Sequence, residues 1–180
     1  MVDYLVEHRH QIAWQPPVKD KDLETAPSLS GYSLVTPEMT ANDAPSPNVA
    51  SASTEYNGDY QAWEAFDHVS DSGSDSWITT SGTKTGWVKL DFGNGNGKTI
   101  TKYTLTSRLD ETTSAPKSWV FEGSNNDSDW DELDSQSDIT DWSNNETKSF
   151  EIDNETSYRY VRLSISKDLV SLILQSVISL

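Results

Sequence analysis

The residues of this chain whose types could do chemistry are three histidines, a run of alternating aspartates, a glycine-rich turn ending in lysine and a large number of carboxylates. His8 and His10 stand two apart, which puts them on one face of a strand, but no third ligand accompanies them and a zinc site needs at least three. Asp127, Asp129 and Asp131 alternate like the opening of an EF-hand loop. The sixth position is Glu132, where glycine is required, and the twelfth is Asp138, so that match fails. The GNGNGK run from Gly93 to Lys98 lacks the Ser or Thr that follows the lysine of a phosphate cradle, and it leads into β-type sequence instead of a helix. It reads as a hairpin turn. Paired carboxylates about 5–10 Å apart would suit glycoside hydrolysis, yet so many loop acids produce such pairs by chance. No nucleophile, base and orienting group assemble into a catalytic set, so the chain is read as a non-enzyme.

The elements that position these residues follow from composition and pattern. The chain has 180 residues, enough for one domain of ordinary size with an extension. Its 13 Lys+Arg against 29 Asp+Glu give a formal net charge of −16, which repels nucleic acid and anionic membrane surfaces. Nucleic acid is excluded as a partner on that ground. Seven Trp, seven Tyr and four Phe supply large buried side chains, so the chain folds despite 34% hydrophobic residues. With no Cys there are no disulfides and no thiolate chemistry. The N-terminal stretch MVDYLVEHRHQIAWQPP carries early charges and no apolar h-region, so no signal peptide is read there. The apolar run from Leu169 to Leu180 is too short and too interrupted to cross a bilayer, and reads as a last core strand.

Residues 1–38, with Pro16, Pro17, Pro27 and Pro37, read as an extended arm. From Ala50 onward, short β-type runs alternate with Gly, Asn, Asp and Ser clusters, as in a sandwich or barrel. In WVKLDF, Val88, Leu90 and Phe92 share the buried face opposite Lys89 and Asp91. Tyr103 and Leu105 share a face in ITKYTLTSR, and these two strands are expected to pair antiparallel across the GNGNGK turn. Trp119 and Phe121 face one way in SWVFEGS. Val161, Leu163 and Ile165 do so in YRYVRLSIS, with Tyr160 and Arg162 opposite. The acidic segment between them carries Trp130, Leu133, Ile139 and Trp142 and reads as a packed loop with a short strand.

The succession APSPNVASASTEYNGDYQAWEAFDH, WIT, GWVKLDFG, ITKYTLTSR, APKSWVFEGSNNDSDWDELD and SYRYVRLSIS resembles the discoidin family, the coagulation factor V/VIII type C domain with its galactose-binding-like fold. The resemblance runs from about Met39 to the C-terminus. It implies an all-β, eight-stranded antiparallel jelly-roll sandwich over 39–180, with loops at one end that bind a ligand, commonly a sugar. It also implies a structural calcium ion near the AFD turn, where Asp67, Asp71 and Asp75 are the side-chain candidates; the family's last-strand Glu is missing, and only Gln175 could take its place. His68 follows that turn, where sugar-binding relatives place polar ligands. Sugar sites set an aromatic face against the ring and read hydroxyls with planar polar groups. Tyr60, Trp63, Tyr56 and Asn57, in the loop before the turn, are candidates. Arg108, with Asp110 just beyond, sits at the expected binding end and could fork to a hydroxyl or carboxylate, or pair with Asp110 or Glu111. Trp77 and Trp87 match core positions of the family.

The expected function is that of a non-catalytic, glycan-binding module shown on a larger assembly, a phage tail, fibre or capsid decoration, at a virion or extracellular surface. Residues 1–38 would anchor it to other virion proteins, multiple copies would add avidity, and no membrane insertion is expected. The alternatives are a structural cement protein working by protein–protein contacts, and an accessory carbohydrate-binding module of a larger enzyme.

Overall fold

The computed structural model describes residues 32–70, 76–109, 112–167 and 171–179. The strands are β1 (Tyr32–Leu34), β2 (Val49–Ala52), β3 (Trp77–Ile78), β4 (Gly86–Asp91), β5 (Lys98–Thr99), β6 (Lys102–Thr106), β7 (Ser118–Ser124), β8 (Asp131–Gln136), β9 (Thr147–Glu151), β10 (Ser157–Tyr158), β11 (Tyr160–Lys167) and β12 (Ser171–Ser179). Eight of them have four residues or more and build the expected all-β antiparallel sandwich; the other four are two- and three-residue edges. The only helical pieces among the described residues are 3-10 turns at Ala62–Phe66 and Thr112–Ser114. No described helix is long and apolar enough to cross a membrane.

One sheet runs β2-β4-β11-β7-β8, and the other runs β1-β12-β6-β9 with β3 also on β12. Alternation assigns the inner faces as expected. Val88, Leu90, Val161, Leu163, Trp119 and Phe121 from the first sheet meet Tyr103 and Leu105 from the second, all buried. Phe66 and Ala65 of the 3-10 turn and Trp77 of β3 extend this core. Stacking of Tyr103 on Phe121, with ring centroids 4.5 Å apart and planes within 9°, joins the two sheets at the centre.

Two expectations are corrected. The strands carrying Val88 and Tyr103 are not partners: β4 is bonded on both sides, by β2 and β11, and β6 belongs to the other sheet. The glycine-rich link therefore crosses between sheets. Gly93 and Gly95, at φ +86° and +78°, make its turn, and β5 beyond it pairs with β10. Trp87 is not in the core either. It lies half-buried on the outer face of β4, with the Lys89 ammonium 5.3 Å from its ring.

β1 pairs with β12, Tyr32 opposite Ser179, so residues 32–34 of the expected arm add a strand to the sandwich. Residues 1–31, with His8 and His10, lie outside the described residues.

The outer face of the first sheet is closed by its own charges. Lys89 bonds Asp127 at 2.6 Å, Arg162 bonds Glu122 at 2.8 Å while lying 3.9 Å from the Trp130 ring, and Arg159 forks onto Asp91 through two 2.8 Å bonds. Burial pushes the Asp91 carboxyl up, but the Arg159 fork, the Gly93 N–H and the charges of Arg159 and Lys89 together outweigh it and hold it below the ordinary aspartate value. The folded-state value lies below the unfolded one, so this stabilisation is complete above the ordinary aspartate range and is lost as pH falls through the lowered value. Asp91→Asn is expected to cost about 1–2 kcal/mol at neutral pH. In urea titrations the gap between wild type and variant should close as the solution is acidified, and a gap that persists in acid would show that the charge is not its source.

Candidate functional site

The loops that follow β2, β3 and β6 converge at one end of the sandwich. Between them lies a cleft of about 370 Å³ lined by Tyr56 and Tyr60, by the segment from Ile78 to Lys84, and by Arg108. The first loop is shaped by its own polar groups. The Asn57 side chain accepts the Asp59 N–H at 2.8 Å, and the Asn57 carbonyl accepts the Tyr60 N–H at 3.3 Å, a tight turn that brings two tyrosines to one side. Their rings meet edge to face, 5.9 Å between centroids and 70° between planes. Tyr56 is half-exposed, and its N–H is fixed to the Ile78 carbonyl at 2.8 Å, which ties the first loop to the second.

The second loop, TTSGTKTG, turns at Gly82, whose φ is +81°. Thr79 donates its hydroxyl to the Thr83 carbonyl at 2.6 Å, and Thr80 donates to the Glu55 carbonyl at 3.0 Å. Glu55 turns its own carboxylate away from the cleft to accept the Ala62 N–H at 2.8 Å. Arg108 projects from the end of β6 with its guanidinium 5.9 Å from the Tyr60 ring centroid. Its backbone is anchored where its carbonyl accepts the Asn145 N–H at 3.0 Å. The floor is apolar at Ile78 and the rim polar, the make-up of a site that stacks a ring on aromatic faces and reads its edge.

Of the residues singled out in the sequence, the structure brings Tyr56, Tyr60 and Arg108 together in this cleft. Asn57 shapes the loop that carries the tyrosines and does not line the cleft. Trp63 packs against the core with its indole N–H donated to Gln61 at 3.0 Å. His68 lies outside the cleft, half-buried at φ +63°, with Nε2 3.3 Å from the Thr36 hydroxyl. Burial holds its imidazole below the ordinary histidine value, against the pull of Glu38 and of a hydrogen bond to the Thr36 backbone. Asp110 and Glu111, the possible partners of Arg108, lie outside the described residues. Lys84 and the Thr79–Thr83 hydroxyls complete the lining. The signal for Lys84 and the hydroxyls was the polar, glycine-broken stretch after the WIT strand, which marks a loop without saying what faces it.

Of the calcium candidates, Asp71 and Asp75 lie outside the described residues. Asp67 is buried, and its Oδ1 accepts the Val69 N–H at 2.9 Å. Among the described residues no group of three His, Cys, Asp or Glu is placed to hold a metal ion. The described part of the turn thus offers one carboxylate of the three that the expectation called for.

The described residues thus form a jelly-roll sandwich with a cleft among its end loops. The sequence agrees: the family model for the F5/8 type C domain matches residues 49–174, and the chain belongs to that family. A comparison with curated proteins gives no match. Among solved structures the chain is similar to a Clostridium perfringens protein in complex with GalNAc-β-1,3-galactose, at 15% identity and a TM-score of 0.58, over 73% of this chain and 95% of that one. It is similar to the family 32 CBM of Clostridium perfringens NanJ in complex with galactose, at 17% identity and a TM-score of 0.58, over 72% and 93%. It is also similar to allantoicase from Saccharomyces cerevisiae, at 17% identity and a TM-score of 0.60, over 81% of this chain and 43% of that one. At these identities the likeness is one of fold.

Proposed function

We propose that this protein is a non-catalytic glycan-binding module whose site is the cleft between the loops after β2, β3 and β6. The observation that carries this reading is the placing of Tyr56, Tyr60 and Arg108 on one cleft. The tyrosine rings offer apolar faces to a sugar ring, and the guanidinium offers a planar fork to its oxygens. Two structural relatives hold galactose-containing ligands on the same fold, which supports the sugar reading further. Such a module serves display: on a larger assembly at a virion or extracellular surface, with residues 1–38 as the anchor and several copies acting together, weak single sites gain strength by avidity. A calcium ion held by Asp67, Asp71 and Asp75 belongs to the same reading; its part would be to tie the turn in place.

The test is a glycan array probed with an avid multimer, in calcium and in EDTA. Selective retention of a saccharide class is expected, with Tyr60→Ala lowering single-site affinity about tenfold in calorimetry while the melting temperature stays put. Absence of any retained glycan, or binding that ignores Tyr60, would overturn the assignment.

A further inference from the structure

We infer that Asn57, in the loop that carries the two tyrosines of the cleft, is a site of spontaneous backbone-assisted deamidation, and that the isoaspartate it forms unmakes the turn holding Tyr56 and Tyr60. The chain has three Asn-Gly pairs, beginning at Asn57, Asn94 and Asn96. A glycine after asparagine has no Cβ to keep its nitrogen from swinging onto the side-chain carbon. The only co-reactant is water. A base takes the proton of the Gly58 N–H, the nitrogen bonds Cγ of Asn57, and the Cγ–Nδ2 bond breaks as ammonia leaves, closing a succinimide. Water then opens that ring. Opening at the main-chain carbonyl carbon gives isoaspartate, with the chain running through the side chain, and opening at Cγ gives aspartate; either product gains one negative charge.

The structure sets Asn57 apart from the other two. Its Oδ1 accepts the Asp59 N–H at 2.8 Å, a bond that spans Gly58 and holds Cγ over the nitrogen that must attack it. The same N–H polarises the amide carbonyl and meets the charge that gathers on its oxygen as the new bond forms. Among the described residues nothing bonds Nδ2 of Asn57, so the leaving group is not tied down. Asn57 and Gly58 are exposed, and a Cβ built on Gly58 meets no atom within 4 Å, so the loop has room to close the ring. Asn96 is the opposite case. Its Nδ2 donates to the Asn94 carbonyl at 3.3 Å, and Gly97 is pressed against β10, where a Cβ would lie 2.7 Å from the Ser157 hydroxyl. No described N–H donates to the Asn94 side chain, and Gly95 is fixed at φ +78° in a turn closed by the Asn96 N–H on the Gly93 carbonyl at 3.1 Å.

Isoaspartate at 57 lengthens the main chain by one carbon. The carbonyl that accepts the Tyr60 N–H becomes a carboxylate on a side branch, and Oδ1 becomes part of the main chain. Both bonds that shape the turn are lost, and with them the edge-to-face setting of Tyr56 on Tyr60. Aspartate keeps an oxygen for the Asp59 N–H and so keeps the turn.

The experiment ages the full chain at neutral and at mildly alkaline pH and follows it by peptide mass mapping with isoaspartyl methyltransferase labelling. Asn57 is expected to convert before Asn94 and Asn96, and faster at the higher pH, because the attacking nitrogen must lose its proton. Gly58→Ala is expected to slow the conversion about fivefold through lost backbone freedom, with the melting temperature unchanged because the added methyl meets nothing. Conversion at Asn57 no faster than at the other two, or indifferent to Gly58→Ala, would overturn the inference. In nitrogen-proton spectra the Asp59 and Tyr60 amide signals should move with the isoaspartate fraction while that of Leu163 in the core stays; unmoved signals would overturn the claim about the turn, as would the same shifts in Asn57→Asp. The bearing on ligand rests on the glycan reading: retention on the glycan array should fall with the isoaspartate fraction in wild type and persist in aged Gly58→Ala. Full retention by modified protein would overturn that link. No retention by fresh protein would overturn the glycan reading and leave the modification, read by mass, standing.

Discussion

Truncating Tyr103 to alanine is expected to cost about 4 kcal/mol and to lower the melting temperature by roughly 12 °C. Tyr103 is fully buried on β6, and its ring stacks between Phe121 at 4.5 Å and Phe150 at 5.0 Å. Its hydroxyl accepts the Trp119 indole N–H at 2.7 Å and donates to Asp134 Oδ2 at 2.6 Å, a chain of bonds running from one sheet to the other. Burial first, and then the Asp134 carboxylate, push its phenol far above the ordinary tyrosine value, so the hydroxyl stays protonated and able to donate. Tyr103→Phe separates the two contributions. It keeps the ring and strands the Trp119 N–H without an acceptor and Asp134 without this donor, for about 2 kcal/mol. Urea unfolding of both variants checks the division. A phenylalanine variant as stable as wild type would show that the ring alone matters.

Gly123→Ala is expected to cost about 2–3 kcal/mol, although alanine is the better residue for a strand on backbone grounds. A Cβ at Gly123 would lie 2.6 Å from Cγ of the Tyr158 ring and 2.7 and 2.9 Å from its two Cδ atoms. Those atoms belong to the rigid base of the ring and cannot swing aside. Tyr158 is buried, and its hydroxyl donates to Asp131 at 3.0 Å, so it also has a partner to lose when displaced. The check is a double-mutant cycle: in a Tyr158→Ala background, Gly123→Ala should become neutral or slightly stabilising. The same cost in both backgrounds would exclude the ring as the obstacle.

Much of the sandwich was legible because alternation is a local signal. Val88 and Leu90, Trp119 and Phe121, and Val161, Leu163 and Ile165 face inward as their spacing requires, since a strand with one wet face has no other way to bury them. Pairing is not local. The GNGNGK turn has the composition of a hairpin, but β11, some seventy residues on, takes the edge of β4 that a hairpin would have used. β1 was hidden for a related reason: YSL among prolines has no strand signal of its own and is held by β12. In the site, Tyr56, Tyr60 and Arg108 were found because they flank recognisable blocks. Trp63 and His68 were singled out on chemical type, whereas packing decided their fate: the 3-10 turn draws Trp63 onto the core, and Thr36 holds His68. Lys84 was missed because a loop residue has no periodicity to reveal what it faces.

The placing of β12 has a consequence for how the molecule can be handled. At its first residue this strand pairs with Ile78, beside the cleft, and next to that Ile173 pairs with Thr106, two residues before Arg108. At its far end Ser179 pairs with Tyr32. Nine extended residues separate the two points, roughly 26 Å of strand. Tyr32 and Ser179 therefore lie side by side at one pole of the sandwich, while the cleft opens at the other. A tether attached beside Tyr32 or Ser179 would hold the sandwich like the stem of a cup, with the mouth turned outward.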